Sequence, residues 1–149
     1  MGSSAPEEAL VVLTVEDNPA EVRLLAEAFS TYNQPVRHLI ASNITEALDA
    51  LHAREGYDGS PTPDIIMLDI DLPGPSGIDI LTEIRATTDG ETIPVIMYSS
   101  TSDPETIRTC YRRGANAYVV KPDDYDEIEL AVEQILSFWG ETANISLAV

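Results

Sequence analysis

In "IIMLDIDLPGPSGIDIL", residues 65–81, four apolar residues run into an aspartate, a loop punctuated by Pro73, Gly74 and Pro75 follows, and from Gly77 apolar positions recur at helical spacing. A short β-branched apolar run bounded by polar and turn residues reads as a strand buried on both faces, taken here over 64–69. The helix after it places Ile78, Leu81 and Ile84 on one face. A doubly buried strand leading into an amphipathic helix is the unit from which parallel sheets are wound.

The rest of the chain repeats that alternation. "LVVLTV" (10–15), "VRHLIA" (36–41), "PVIMYSS" (94–100) and "AYVV" (117–120) are the other predicted strands. The first helix is expected in "DNPAEVRLLAEAF", with Asn18 as its cap, Pro19 at the first helical position and Glu21 reaching back as in a capping box. Asn43, with Glu46 three residues on, caps the second. Asp103 and Pro104 announce the fourth, and Gly114 stops it. The fifth, "DYDEIELAVEQILSFW", opens with acidic residues that suit the positive end of its dipole. Together these predict an α/β domain: a (βα)5 doubly wound five-stranded parallel sheet with right-handed crossovers and helices on both faces. "NQPVRH" and "REGYDGSPTP" are expected to be exposed loops.

Composition sets the company such a domain can keep. A chain of 149 residues suits one domain, and its 44% hydrophobic content supports a core. Against 8 basic residues stand 26 acidic ones, a net charge of -18 that repels nucleic acid phosphates and anionic lipid headgroups. Neither a nucleic acid nor a membrane partner is expected. The acidic, lysine-poor balance resembles proteins of salt-rich cytoplasm, where self-repulsion is screened. Cys110 is the only cysteine, so no internal disulfide forms, and among apolar neighbours it reads as an inert helix residue. "MGSSAPEEAL" has neither a basic n-region nor a long apolar run, which predicts a soluble, cytoplasmic protein. Seven of the eight cations are arginines, and Lys121 is the only lysine.

In a doubly wound sheet, sites form at the carboxyl ends of the strands, near the topological switch point. Those ends carry Glu16 and Asp17 after strand one, Asp69 and then Asp71 after strand three, Ser99 and Ser100 after strand four, and Lys121 after strand five. Two carboxylates about 4 Å apart repel by roughly 4 kcal/mol even at an effective dielectric near 20. One lysine cannot neutralise them all, whereas a divalent cation can, and an oxygen-only ligand set suits Mg²⁺. Asp17 reads equally as a helix cap. Asp69 has no evident capping role, and Asp71 reads as a turn residue whose carbonyl is the useful atom.

Four segments, "VEDNP", "IIMLDIDLPGPSGIDIL", "IPVIMYSS" and "GANAYVVKP", resemble in order and spacing the receiver domain of two-component response regulators. The resemblance runs over about residues 9–139 and implies the flavodoxin-like strand order 2-1-3-4-5. It implies that Asp69 is the phosphoacceptor, taking a phosphoryl group from a sensor histidine kinase or a histidine phosphotransfer protein. Asp17 and Asp69 would bind Mg²⁺ directly, Glu16 through water, and the Asp71 carbonyl would complete the protein ligands. Lys121 would pair with one phosphoryl oxygen and the Ser99 hydroxyl would bond another. Tyr118 would change rotamer as Ser99 moves, altering the surface made by helix four, strand five and helix five.

The implied protein is a single-domain regulator with a downstream protein target, not an enzyme but a phosphoacceptor that assists its own phosphorylation and dephosphorylation. Residues 1–8 are expected to be a flexible terminus and 140–149 a tail. The "FW" of "SFWGETANISLAV" resembles the small stand-alone receivers paired with phytochrome-type photoreceptor kinases. Phe138, Trp139, Ile145 and Leu147 suit either packing on their own domain or a homodimer contact. His38 and His52 lack metal-ligand spacing and read as structural or surface residues. Two other classes stand beside this reading. "LDID" resembles the nucleophile motif of Mg²⁺-dependent haloacid dehalogenase-type phosphatases, although that motif lies on a first strand. The other class is a receiver-like interaction module that is never phosphorylated.

Overall fold

The structure, a computed structural model, describes residues 9–142, with side chains through Gly140. Five strands, β1 (Leu10–Val15), β2 (Val36–Ala41), β3 (Ile65–Leu68), β4 (Val95–Ser99) and β5 (Ala117–Val120), form one sheet in the order β2-β1-β3-β4-β5. Every pairing is parallel. The crossovers contain α1 (Pro19–Ser30), α2 (Ile44–Leu51), α3 (Gly77–Ala86) and α4 (Pro104–Arg112), while α5 (Tyr125–Ile135) follows β5. The predicted class and strand order both hold, and Asp69 leaves β3, not the first strand.

Two cores follow from the alternation of side chains along the strands. Val11, Leu13 and Val15 of β1 pack with Ala47 and Leu51 of α2, Ile80, Leu81 and Ile84 of α3 and Cys110 of α4. Leu10 and Val12 face the other way, with Leu25 and Phe29 of α1 and Ile128, Val132 and Ile135 of α5. On α3 it is Ile80, not Ile78, that is fully buried beside Leu81 and Ile84, while Ile78 packs at the margin. Every residue of β1, β3 and β4 is buried; none of β5 is fully so.

The predicted caps are present. The Asn18 side chain accepts from the backbone N–H groups of Ala20 and Glu21, Asn43 from Glu46 and Asp103 from Thr106. Ser76, not foreseen, caps α3 in a full capping box with Asp79. Gly114 ends α4 at φ 109°, a left-handed conformation that side-chain-bearing residues rarely adopt. The final helix does not run on as one α-helix: after Ile135 it widens into a π-helical segment, Leu136–Thr142. Leu136 is buried there, Trp139 packs on the α1–α5 core, and Phe138 is half exposed. Ile145 and Leu147 lie outside the described residues, as do residues 1–8.

At the end of the sheet away from Asp69, Arg85 of α3 joins two connections, α3–β4 and α4–β5. Its guanidinium donates to the carbonyls of Gly114 (2.8 Å), Gly90 (2.8 Å) and Ile93 (2.6 Å), and to Asn116 Oδ1 (2.7 Å). Asn116 Oδ1 also accepts from the Val95 N–H at 2.9 Å, so one cation ties the entries of β4 and β5 to α3. His38 is structural, as expected: its Nε2 bonds Thr14 Oγ1 at 2.8 Å and its ring meets Phe29 edge-on. His52 pairs with Asp89 at the surface.

Candidate functional site

Three of the cleft residues are held by a backbone bond just beyond their strands. The Glu16 N–H donates to Ala41 O (2.9 Å), the Asp69 N–H to Val15 O (3.1 Å) and the Lys121 N–H to Ser99 O (2.9 Å). The main chain at Asp69 is fixed from the other side too. A Cβ placed on Gly77, the first residue of α3, would lie 2.0 Å from the Asp69 carbonyl oxygen and 2.7 Å from Ile70 Cα. Helix α3 therefore begins directly against the residue whose side chain faces the cleft.

The side chains converge as predicted. One carboxylate oxygen from each of Glu16, Asp17 and Asp69 lies within 4.8 Å of the others, with Glu16 and Asp69 buried and Asp17 exposed. Lys121 Nζ sits 3.0 Å from Glu16 Oε1 and 3.5 Å from Asp69 Oδ2, with only 12% of its side chain exposed. Asp71 is exposed in the loop after β3. Ser99, fully buried, ends the strand between those that carry Asp69 and Lys121; its Oγ accepts from the Thr101 N–H at 3.4 Å. Tyr118, half-buried on β5, donates its hydroxyl to the Thr101 carbonyl at 2.6 Å. Ser99 and Tyr118 thus grip the two faces of one residue in the β4–α4 loop.

Burial dominates the electrostatics. It pushes the Glu16 carboxyl up to about 7, partly opposed by the hydrogen bond from Lys121 and reinforced by the charge of Asp69. Asp69 is also raised, first by burial, with Lys121 pulling the other way. Burial works against the charged form of Lys121, but its bonds to Glu21 and Glu16 outweigh that and keep it above the usual lysine range. Asp69 Oδ1 is buried with no hydrogen-bond partner among the described residues. An orphaned carboxylate oxygen beside two further carboxylates is the donor set of a hard divalent cation, and the residues present fit one.

Glu21 was assigned the wrong partner from sequence. It does not reach back to the helix cap: the Asn18 N–H is taken by Glu16 Oε2 at 3.2 Å, and the Glu21 carboxylate turns to Lys121 Nζ instead. A charge-assisted bond to an ammonium exceeds one to a neutral amide. Its position in the first turn of α1, the helix that packs against α5, was the available clue.

Among the described residues, no helix is long and apolar enough to cross a membrane. The family model described as "Response regulator receiver domain" matches residues 12–133. Response regulator Rcp1 of Synechocystis sp. is 30% identical over 138 residues, which cover 93% of this chain and 94% of that protein. The solved structure of the phosphorylated cyanobacterial phytochrome response regulator RcpA is similar at TM-score 0.82 and 29% identity, over 90% of this chain and 96% of that one. The Mn²⁺-bound form of Rcp1 superposes at TM-score 0.79 with 31% identity, over 89% and 96% of the two chains. Since the matched span takes in Glu16, Asp17, Asp69, Ser99 and Lys121, this chain belongs to the response regulator receiver domain family of two-component systems, among relatives that include phytochrome response regulators.

Proposed function

We propose that this chain is a phosphoacceptor switch in which Asp69 takes a phosphoryl group from a phosphohistidine of a sensor histidine kinase or phosphotransfer protein. The observation that carries this reading is the Asp69 carboxylate itself: buried, with one oxygen orphaned and the other 3.5 Å from the only lysine. An Asp69 oxygen attacks phosphorus, the new O–P bond forms as the histidine N–P bond breaks, and the imidazole leaves with the bonding pair and takes up a proton. Asp17, Asp69 and the Asp71 carbonyl would hold Mg²⁺ directly and Glu16 through water, and the bound ion would supply positive charge for the phosphoryl oxygens. Lys121 adds a second positive charge, a compact ammonium suited to a narrow cleft. The Ser99 hydroxyl bonds a further phosphoryl oxygen.

The switch runs through Thr101. Drawing Ser99 toward a phosphoryl group disturbs its bond to the Thr101 N–H, and Tyr118 holds the carbonyl of the same residue. A near-complete shift of two populations needs roughly 5 kcal/mol of differential contact, which an added dianion beside Lys121 and Ser99 is of the order to supply. The altered face would be that of α4, β5 and α5, offered to a downstream protein target. The phytochrome response regulators among its relatives make a phytochrome-type kinase the donor to try first.

The test is intact mass after incubation with a small phosphodonor at high KCl, with and without Mg²⁺, for the natural chain and for Asp69→Asn. One phosphoryl group gained, dependent on Mg²⁺ and absent in the variant, is the expected result. A folded protein that gains none from either the donor or a phosphorylated kinase is instead an interaction module.

A further inference from the structure

Lys121 has more carboxylate around it than the acceptor site explains. Besides Glu16 and Asp69, its ammonium is bonded by Glu21, which belongs to α1 and lies outside the three-carboxylate cluster. Glu21 is the more accessible partner, its side chain 35% exposed against 3% for Glu16. It lines a groove between α1 and α5 with Leu24, Tyr98 and Pro122, so on release its carboxylate can pass to water without a buried charge being left behind. Glu16 has no such exit.

We propose that Glu21 is a positioning residue that holds Lys121 in reserve in the unphosphorylated state and slows phosphorylation of Asp69, because the ammonium must leave Glu21 to meet the incoming phosphoryl oxygens. This rests on the receiver reading above. The ion pair is part of the resting state and is given up as charge develops on the phosphoryl group, so its loss lowers the barrier instead of raising it. For a partly exposed pair the effect on rate is roughly three- to fivefold.

The single lysine makes the contact directly observable. Lysine labelled with ¹³C at Cε and ¹⁵N at Nζ gives one side-chain signal, that of Lys121. It is recorded without donor for the natural chain, Glu21→Gln and Glu27→Gln, the last removing the same charge from an exposed site on the same helix. Phosphorylation by a small donor in Mg²⁺ is then timed by intact mass. Glu21→Gln is expected to move the Lys121 signal and speed phosphorylation roughly three- to fivefold, while Glu27→Gln does neither. An unmoved signal in Glu21→Gln, or a moved signal with a rate that is unchanged or slower, overturns the proposal. If the natural chain takes up no phosphoryl group at all, the receiver reading falls and this role falls with it, and the lysine signal still reports separately whether the contact exists.

Discussion

Replacing Gly77 by alanine tests how tightly α3 is set against Asp69. The added methyl would lie 2.0 Å from the Asp69 carbonyl oxygen, and real Cβ contacts essentially never fall below 3.0 Å, so helix and loop must part by about 1 Å. Both atoms it meets first are backbone, and the Gly77 N–H is itself tied to Ile70 O at 3.0 Å, so no flexible side chain can absorb the shift. Overpacking of this kind costs about 1–3 kcal/mol, and weakening the Gly77 hydrogen bond adds about 1. Alanine's better helix propensity returns less than about 1 kcal/mol at a first helical position. The net expectation is a loss of about 3 kcal/mol, read by urea unfolding at high KCl. Displacing Asp69 by this distance should also slow phosphorylation by up to roughly 10²-fold in the protein that remains folded. A stability within about 0.5 kcal/mol of the natural chain, with an unchanged rate, would refute the claim that α3 fixes Asp69.

Glu16→Gln should alter how stability depends on pH in EDTA. Glu16 is raised from 4.5 to about 7, so its neutral form is favoured by folding and its contribution is complete below pH 4.5 and lost as pH rises through 7. His38, lowered from 6.5 to about 4, contributes the other way, its share being lost as pH falls through that window. The stability of Glu16→Gln relative to the natural chain should therefore rise by about 3 kcal/mol between pH 4 and 8, at about 1.4 kcal/mol per pH unit. Urea unfolding at the two pH values checks it, and a flat difference would show that folding does not penalise the charged form of Glu16. Arg85→Gln strips donors from the Gly114, Gly90 and Ile93 carbonyls and should lower the melting temperature by roughly 10 °C, corresponding to about 3 kcal/mol. Arg85→Lys should recover only part of this, since a point charge cannot serve acceptors spread around a planar fork.

What was legible in the sequence is what local chemistry dictates. The strands announce themselves as β-branched runs, and Asn18, Asn43 and Asp103 mark helix starts because their side chains bond the helix backbone within three residues. Given the alternation, the rule that sites lie at carboxyl strand ends is enough to bring Glu16, Asp17, Asp69, Ser99 and Lys121 to one edge. The Arg85 network was not legible, because three of its acceptors are main-chain carbonyls from two connections, which leave no mark on side-chain pattern. Glu21 was misassigned because spacing alone cannot weigh a neighbouring amide against an ammonium 100 residues away. The π-helical end was missed because apolar spacing over one or two turns does not distinguish its hydrogen bonding from that of an α-helix.

The uneven burial of the sheet divides the cleft into an anchored half and a yielding half. Asp69 leaves a strand buried along its whole length and flanked by strands on both sides, so its position is as rigid as the core. Lys121 leaves the edge strand, which pairs with β4 alone and has no fully buried residue. Local opening of such an edge takes less free energy than opening the centre of the sheet. On the proposed function, chemistry at Asp69 would therefore meet a lysine mounted on an edge strand without a fully buried residue, and strain created there would be relieved outward, toward the α4–β5–α5 surface, more than inward through the core.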